Sequence, residues 1–295
     1  MEWESFVPPL QKIQHPILEK RNITLQLLRI DLIHTHLSGN KWWKLKHNLF
    51  EAKKMGYTTL LTFGGAYSNH IRAVAFAGKY FGLSTIGVIR GDEHFALNPV
   101  LEFAQEIGMK LLFWSREKYR NKEQFLGELY REFGDFYLLP EGGTNQLALK
   151  GCAELWQYIP QETTIVCSAV GTGGTLAGLI VGSSLEKIIW GFPVLKGGAF
   201  LYDTICKLLS AYAPSNTFSN WKLWTDYHFG GYAKTNALLI DFIQSFIKQT
   251  NIPIEPIYTG KMLFGIFDLI QNELVLSGSK IVALHTGGIF KSEKV

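Results

Sequence analysis

Two lysines three residues apart, Lys41 and Lys44, stand in the stretch Leu37-Ser38-Gly39-Asn40-Lys41-Trp42-Trp43-Lys44, where a helical pattern opens behind the Ser38-Gly39 turn. The N-terminus of a helix carries partial positive charge, so cations placed there call for an anion or an electrophile. A second stretch can supply a place for an anion. In Val170-Gly171-Thr172-Gly173-Gly174-Thr175 the glycines lie between an expected strand and an expected helix, a setting that brings backbone N–H groups up to negative charge. The spacing excludes the nucleotide motifs. A dinucleotide fingerprint starting at Gly171 requires glycine where Leu176 stands, and a P-loop starting at Gly173 reaches Gly178 but requires lysine where Leu179 stands. A cradle for a single phosphate group is favoured over a tight turn that only packs helix on strand. A third stretch, Gly64-Gly65-Ala66-Tyr67-Ser68-Asn69-His70, follows a strand and offers Ser68 as a helix N-cap. Its chemical use would be Asn69 bonding a ring oxygen and Ser68 binding a substrate carboxylate.

A long alternation positions these stretches. Residues 1–21 read as an irregular arm broken by Pro8, Pro9 and Pro16, residues 23–33 as a strand or hairpin, and residues 42–55 as a helix. Strands are then expected over 58–63, 84–90, 110–114, 136–139, 163–168, 187–192, 222–227 and 280–284. Helices are expected over 68–81, 99–107, 117–133, 145–158, 199–212, 236–249 and 260–276. This pattern means mainly parallel sheets covered on both faces. The count is too large for one compact sheet in 295 residues. The expected fold is α/β, with two interleaved three-layer domains: residues 1–47 plus 151–295 form the larger, cofactor-binding one and residues 48–150 the smaller. A net charge of +4 without a basic block gives no nucleic-acid stripe. No apolar run approaches the roughly 18 residues of a membrane span, and the acidic, proline-broken start is not a signal peptide. Three widely spaced cysteines without a C-x-x-C point to reduced thiols and the cytoplasm rather than to a disulfide frame.

The motifs also stand in a familiar order: Asn40-Lys41 with Lys44, Ser68-Asn69-His70, Val170 to Thr175, Gly231-Tyr232, Ile257-Tyr258-Thr259-Gly260-Lys261 and His285-Thr286-Gly287-Gly288. Together they resemble the 1-aminocyclopropane-1-carboxylate deaminase / D-cysteine desulfhydrase family of pyridoxal-phosphate enzymes over roughly residues 15–290. The resemblance implies the tryptophan synthase β-like fold (fold type II), a homodimer, and pyridoxal 5'-phosphate as cofactor. It implies that Lys41 carries the coenzyme as a Schiff base and removes the substrate α-proton, a task that suits a lysine with a depressed pKa. Lys44, Val170, Gly171, Thr172, Gly173, Gly174 and Thr175 would hold the phosphate end, Asn69 the ring hydroxyl, and Thr286 a further contact to the coenzyme. Ser68, Asn69, His70, Tyr232, Tyr258 and Thr259 would line the substrate side, with Tyr258 the proton shuttle.

Two positions bear on the reaction. The deaminase branch carries Glu after the motif tyrosine and Leu in the last glycine turn, whereas Thr259 and Thr286 stand here, as in the desulfhydrase branch. A threonine hydroxyl can donate to a neutral ring nitrogen, and the weaker electron sink that results suffices where a β-thiolate leaves. The implied reaction is β-elimination of D-cysteine, or a related β-substituted D-amino acid, to pyruvate, hydrogen sulfide and ammonia. The alternatives are 1-aminocyclopropane-1-carboxylate deamination to 2-oxobutanoate and ammonia, and a pyridoxal-phosphate-binding protein with little turnover. The sequence departs from the family at Trp43, where arginine is usual, with bulky Trp42 beside it, and at His70, where the deaminase branch has glutamine. His34 and His36 fall on one face of an expected edge strand, without the third ligand a metal requires. Asp92-Glu93-His94 reads as a solvated loop, and the charges from Glu117 to Glu132 as a wet helix face.

Overall fold

The computed structural model describes residues 5–91 and 97–288. In chain order the elements are β1 (Leu10–Lys12), α1 (Pro16–Lys20), β2 (Thr24–Leu28), α2 (Lys41–Lys54), β3 (Thr59–Gly65), α3 (Asn69–Phe81), β4 (Ser84–Arg90), α4 (Pro99–Glu106), β5 (Met109–Trp114), α5 (Arg116–Arg120) and α6 (Leu126–Phe133). There follow β6 (Tyr137–Leu139), α7 (Gln146–Ala153), β7 (Ile165–Val170), α8 (Gly174–Gly182), β8 (Ile188–Pro193), α9 (Phe200–Tyr212), β9 (Trp221–Leu223), α10 (Ala237–Thr250), α11 (Thr259–Gln271) and β10 (Lys280–Leu284).

The strands form two sheets. One has six strands in the order β1-β2-β10-β7-β8-β9, and the other four in the order β5-β4-β3-β6. Only β1 runs antiparallel, with Leu10 opposite Leu28; every other pairing is parallel. The chain leaves the six-stranded sheet after β2, builds the four-stranded one, and returns at β7. Strands covered on both faces can be apolar throughout, and β7, Ile-Val-Cys-Ser-Ala-Val, is buried at every position. The last strand, β10, lies between β2 and β7, with Ile281 beside both Leu25 and Ile165. The largest apolar cluster is shared between the sheets, and a second cluster backs each sheet on its far side.

Local chemistry redraws several expected elements. The strand expected over 23–33 stops at Leu28, because Arg29 turns to clamp Asp31 with two bonds of 2.9 and 2.8 Å and a 3₁₀ turn spans Ile30–Ile33. His34 and His36 therefore sit in a loop, not on an edge strand. Their rings stack on Phe76 at 4.5 Å and Phe103 at 4.3 Å. The helix expected over 117–133 breaks into α5, a 3₁₀ turn over Lys122–Phe125, and α6. Tyr119 and Leu129 are ten residues apart, so an unbroken helix would point them roughly 80° away from each other; with the break both join the cluster containing Phe63 and Trp114. The helix expected over 145–158 tightens to 3₁₀ after Ala153, and the strand expected over 222–227 is only β9. The N-terminal arm is partly ordered, as β1 and α1. Asp92-Glu93-His94 lies outside the described residues.

Candidate active site

Parallel sheets gather their loops at the C-terminal ends of the strands, where ligands bind. Here Gly64-Gly65 closes β3, Gly142-Gly143 follows β6, Gly173-Gly174 follows β7 and Gly287-Gly288 follows β10. The N-termini of α2 and α11 come into the same region. Gly39, in the turn before α2, is left-handed at φ +65°, and a β-carbon there would land on the carbonyl of Thr286. The turn before Lys41 is thus locked into the turn after β10, and glycine is required at this position.

Lys41 is half-buried, and its Nζ donates to Asn40 Oδ1 at 2.9 Å. Asn40 Nδ2 in turn donates to Thr175 Oγ1 at 2.7 Å, which joins the lysine to the glycine loop. Burial lowers the Lys41 pKa to about 8, so a useful fraction of the amine is neutral near physiological pH. Lys44, one turn along α2, is 2 % exposed and donates to Thr144 Oγ1 at 2.9 Å and Thr172 Oγ1 at 3.4 Å. Burial, and then the Lys41 charge, lower its pKa to about 7. Among the described residues no carboxylate is within ion-pair reach of either amine; the acid that acts on both is the Cys152 thiol, itself pushed up to about 11 by burial.

The loop after β7 is open to an anion. Helix α8 starts behind Gly173 (φ +85°), and no side chain caps its first N–H groups. Thr172 and Thr144 bond each other at 2.6 Å in front of Lys44. A half-buried amine, a buried one, two hydroxyls and the uncapped end of a helix form a donor set suited to a phosphate group. Val170, the last residue of β7, is buried and accepts from Val194 N.

The other expected residues surround this cradle. Ser68 caps α3: its Oγ accepts from His70 N at 3.2 Å and Ile71 N at 3.4 Å, so its own O–H stays available as a donor. The His70 side chain turns inward. Its Nε2 lies 2.8 Å from Thr62 Oγ1, and burial together with the Lys41 and Lys44 charges pushes its pKa well down, so the ring is neutral. The edge of the Tyr258 ring comes to 3.2 Å from where a β-carbon on Gly171 would sit, so glycine makes room for it. Burial raises the Tyr258 pKa well above 10, which keeps the phenol protonated. Tyr232 meets it edge-on, with centroids 6.0 Å apart. Thr286 is half-buried under Gly39, and Asn69 Nδ2 is 2.9 Å from the β-carbon position of Gly288. Thr259 is buried, with its Oγ1 3.0 Å from Glu255 Oε1.

The architecture fits one known family. The model of the pyridoxal-phosphate dependent enzyme family matches residues 31–287. The chain belongs to this family. A crystal structure of an ACC deaminase homologue superposes with a TM-score of 0.85 at 28% identity, covering 98% of this chain and 91% of that one. A Thermotoga maritima relative bearing a provisional 1-aminocyclopropane-1-carboxylate deaminase name is 30% identical over 301 residues, 96% of this chain and 94% of its own. The bifunctional mitochondrial D-cysteine desulfhydrase/1-aminocyclopropane-1-carboxylate deaminase of Arabidopsis thaliana is 27% identical over 289 residues, 90% of this chain and 72% of the plant protein. The α/β fold of type II and the pyridoxal-phosphate cofactor read from the motifs both hold.

Four residues here carry roles that sequence reasoning did not assign, although Asn40 and Lys261 stand within its motifs. Asn40 joins Lys41 to Thr175, and Thr144 supports Lys44. Lys261, fully buried, donates to the carbonyls of His228 at 2.8 Å and Gly231 at 2.7 Å, fixing the loop that carries Tyr232. Glu255 is a buried carboxylate beside Asn69. The Gly-Gly doublet before Thr144 was a usable signal, since the same doublet marks the other loops of the site. Trp42 and Trp43 are core residues at 3 % and 2 % exposure. Trp42 stacks on Phe81 at 6.4 Å, and Gly151 of α7 packs against the Trp43 carbonyl.

Proposed function

We propose that this protein is a pyridoxal-phosphate dependent lyase that eliminates the β-substituent of D-cysteine, or of a related D-amino acid, and with the uptake of one water gives pyruvate, ammonia and, from cysteine, hydrogen sulfide. The observation that carries the coenzyme site is the pair of amines, half-buried Lys41 and buried Lys44, with no carboxylate among the described residues paired to either, beside the uncapped N-terminus of α8. In this reading Lys41 holds the coenzyme aldehyde carbon. Lys44, Thr144, Thr172 and the N–H groups of residues 171–175 hold the phosphate. Asn69 bonds the ring hydroxyl, and Thr286 lies near the ring. Once bound, the coenzyme supplies an electron sink for the pair left at Cα. The protein does the rest. Ser68 donates its hydroxyl to the substrate carboxylate, and the backbone after it orients the amino acid. Lys41, with a pKa held near 8, takes the α-proton. Tyr258, kept protonated, delivers a proton to the leaving sulfur, and Tyr232 closes the substrate side.

Support for the sulfur substrate comes from threonine at 259 and 286, where a carboxylate and a leucine would suit ring opening. A second reading, deamination of 1-aminocyclopropane-1-carboxylate, is favoured by one observation: the buried Glu255 carboxylate bonded to Thr259. A homodimer and the division at residues 47/48 and 150/151 belong to the same proposal. So does a cytoplasmic setting, in keeping with three unpaired cysteines; no helix among the described residues is long and apolar enough to cross a membrane. The test has two arms. Borohydride treatment and peptide mapping should fix the coenzyme on Lys41; an adduct elsewhere, or none, refutes the site. Sulfide release from D- and L-cysteine, beside 2-oxobutanoate from the cyclopropane, should favour D-cysteine; 2-oxobutanoate alone would transfer the assignment to the second reading.

A further inference from the structure

Asn40 is the N-cap residue of α2, and its carbonyl accepts Lys44 N at 3.1 Å as the helix opens. Asparagine is favoured at such a position because, on an extended backbone, its side-chain oxygen takes up a free N–H of the first turn. Here neither condition is met. The backbone at Asn40 is helical, with φ −67° and ψ −8°, and its side chain makes no capping bond. The amide turns to the site instead. Its Oδ1 accepts from Lys41 Nζ at 2.9 Å, and its Nδ2 donates to Thr175 Oγ1 at 2.7 Å. Capping therefore does not account for asparagine at this position.

The two bonds fix which way the amide faces. Lys41 Nζ donates N–H whether it is charged or neutral, so only Oδ1 matches it; the flipped amide would set donor against donor. Nδ2 then meets a lone pair of the Thr175 hydroxyl. The amide is anchored on the glycine loop at one end and holds the lysine at the other. A neutral amine carries two hydrogens and one lone pair. With one hydrogen on Oδ1 the amine is kept from swinging away, and the lone pair is left free.

We propose that Asn40 is a positioning residue that acts through Lys41, its Oδ1 holding the ε-amine in the site whenever that amine is free, with the lone pair left to take the substrate α-proton. This rests on the reading that Lys41 carries the coenzyme and serves as the base. In that reading the lysine amine is free during each turnover, after the substrate amine has replaced it on the coenzyme carbon. A lysine has a flexible four-carbon stem, and without a partner it samples many positions of which few reach Cα. Proton removal requires the base close to hydrogen-bond distance from the group that loses the proton. The Oδ1 contact narrows that search. The Asn40–Thr175 bond also ties the amine to the loop that would hold the coenzyme phosphate, so base and coenzyme are placed from one scaffold.

Two arms test this. In the apoenzyme, trace acylation with acetic anhydride across pH, read by peptide mapping, reports the protonation of Lys41. Asn40→Asp places a carboxylate oxygen where Oδ1 meets the amine, so the labelling midpoint should rise by at least about one pH unit. An unmoved midpoint means that the contact is absent in solution and overturns the inference. In the holoenzyme, Asn40→Ala should lower kcat for D-cysteine about tenfold with KM unchanged, as for one hydrogen bond lost from the step. The α-deuterium isotope effect on kcat should be at least as large as in the wild type, because proton removal is the step slowed. A smaller isotope effect places the loss in another step, and a kcat equal to wild type removes the role; either result overturns the inference. If borohydride fixes no coenzyme on wild-type Lys41, the site reading falls and this inference with it. If the coenzyme is fixed there and either arm fails, the inference alone falls.

Discussion

Replacing Lys44 with methionine should stabilise the protein without coenzyme and destabilise it with coenzyme. Lys44 is 2 % exposed and its pKa falls from 10.5 to about 7. The unfolded chain then binds more protons than the folded one between those values, so the lysine's contribution to stability rises as pH increases from 7 toward 10.5 and is lowest below 7. At roughly 1.4 kcal/mol per pH unit the full penalty is about 5 kcal/mol, an upper bound because buried sites relax and admit water. A net gain of about 2 kcal/mol on removing the charge at pH 7 is a fair expectation, or roughly 4 °C in Tm for a chain of this size. The substitution leaves no polar orphan, since Thr144 and Thr172 still bond each other at 2.6 Å. Methionine also follows the lysine stem in length and flexibility. With pyridoxal phosphate, or inorganic phosphate as a partial mimic, the sign should reverse, because wild type then gains a buried charge pair the variant cannot make. Thermal melts of both proteins at pH 7, with and without ligand, check this. If Lys44→Met melts lower than wild type in both states, the lysine is a structural tie and the phosphate reading of the cradle is wrong.

Three further outcomes follow from the same geometry. Capture of pyridoxal phosphate by the apoenzyme should quicken as pH rises through about 8, since only neutral Lys41 attacks the aldehyde; stopped-flow absorbance reads the rate, and a flat profile from pH 6 to 9 refutes it. Gly39→Ala should cost at least about 2 kcal/mol, from the left-handed backbone and the overlap with the Thr286 carbonyl, and should weaken coenzyme binding because that turn carries Lys41; denaturant unfolding and coenzyme titration measure both. Trp42→Phe should lower stability by about 1–2 kcal/mol with KM for D-cysteine unchanged, as befits a core residue; a changed KM at equal stability would return Trp42 to the pocket.

The alternation of strand and helix was legible because parallel strands carry continuous apolar runs and the helices between them end at glycines. The lysine pair and the Gly171–Thr175 loop were legible because their chemistry is local in sequence. What was not legible depends on pairs far apart along the chain. Thr144 joins the proposed phosphate cradle only through a bond to Lys44, a hundred positions away, and β6, which delivers it, is three residues long and gives almost no period. The break between α5 and α6 answers to an apolar cluster on the opposite side of the four-stranded sheet, which no local propensity encodes. His70 could be placed on α3 from its position after a capping serine, but the turn of its ring toward Thr62 required β3 to be in place.

Glu255 shows why residue type at a motif position is an incomplete guide to substrate. The threonine after Tyr258 separates two branches by what it lacks, a carboxylate. In this fold the missing carboxylate stands four residues earlier and bonds to that same threonine. The helix start requires an anion there in any case, because α11 has no capping side chain of its own and its first N–H groups are buried. One buried acid thus caps the start of α11 and engages the threonine at the motif position. The sequence argument for a weak sink then falls to Thr286, which is half-buried, because Thr259 is 1 % exposed and its hydroxyl is bonded to Glu255. In the proposed reading, preference for a sulfur substrate then rests on Thr286, on the leaving group and on the pocket formed by Ser68, Tyr232 and Tyr258. Substitutions at Tyr232 should accordingly change the ratio of sulfide to 2-oxobutanoate formation, and an unchanged ratio would remove Tyr232 from the substrate side.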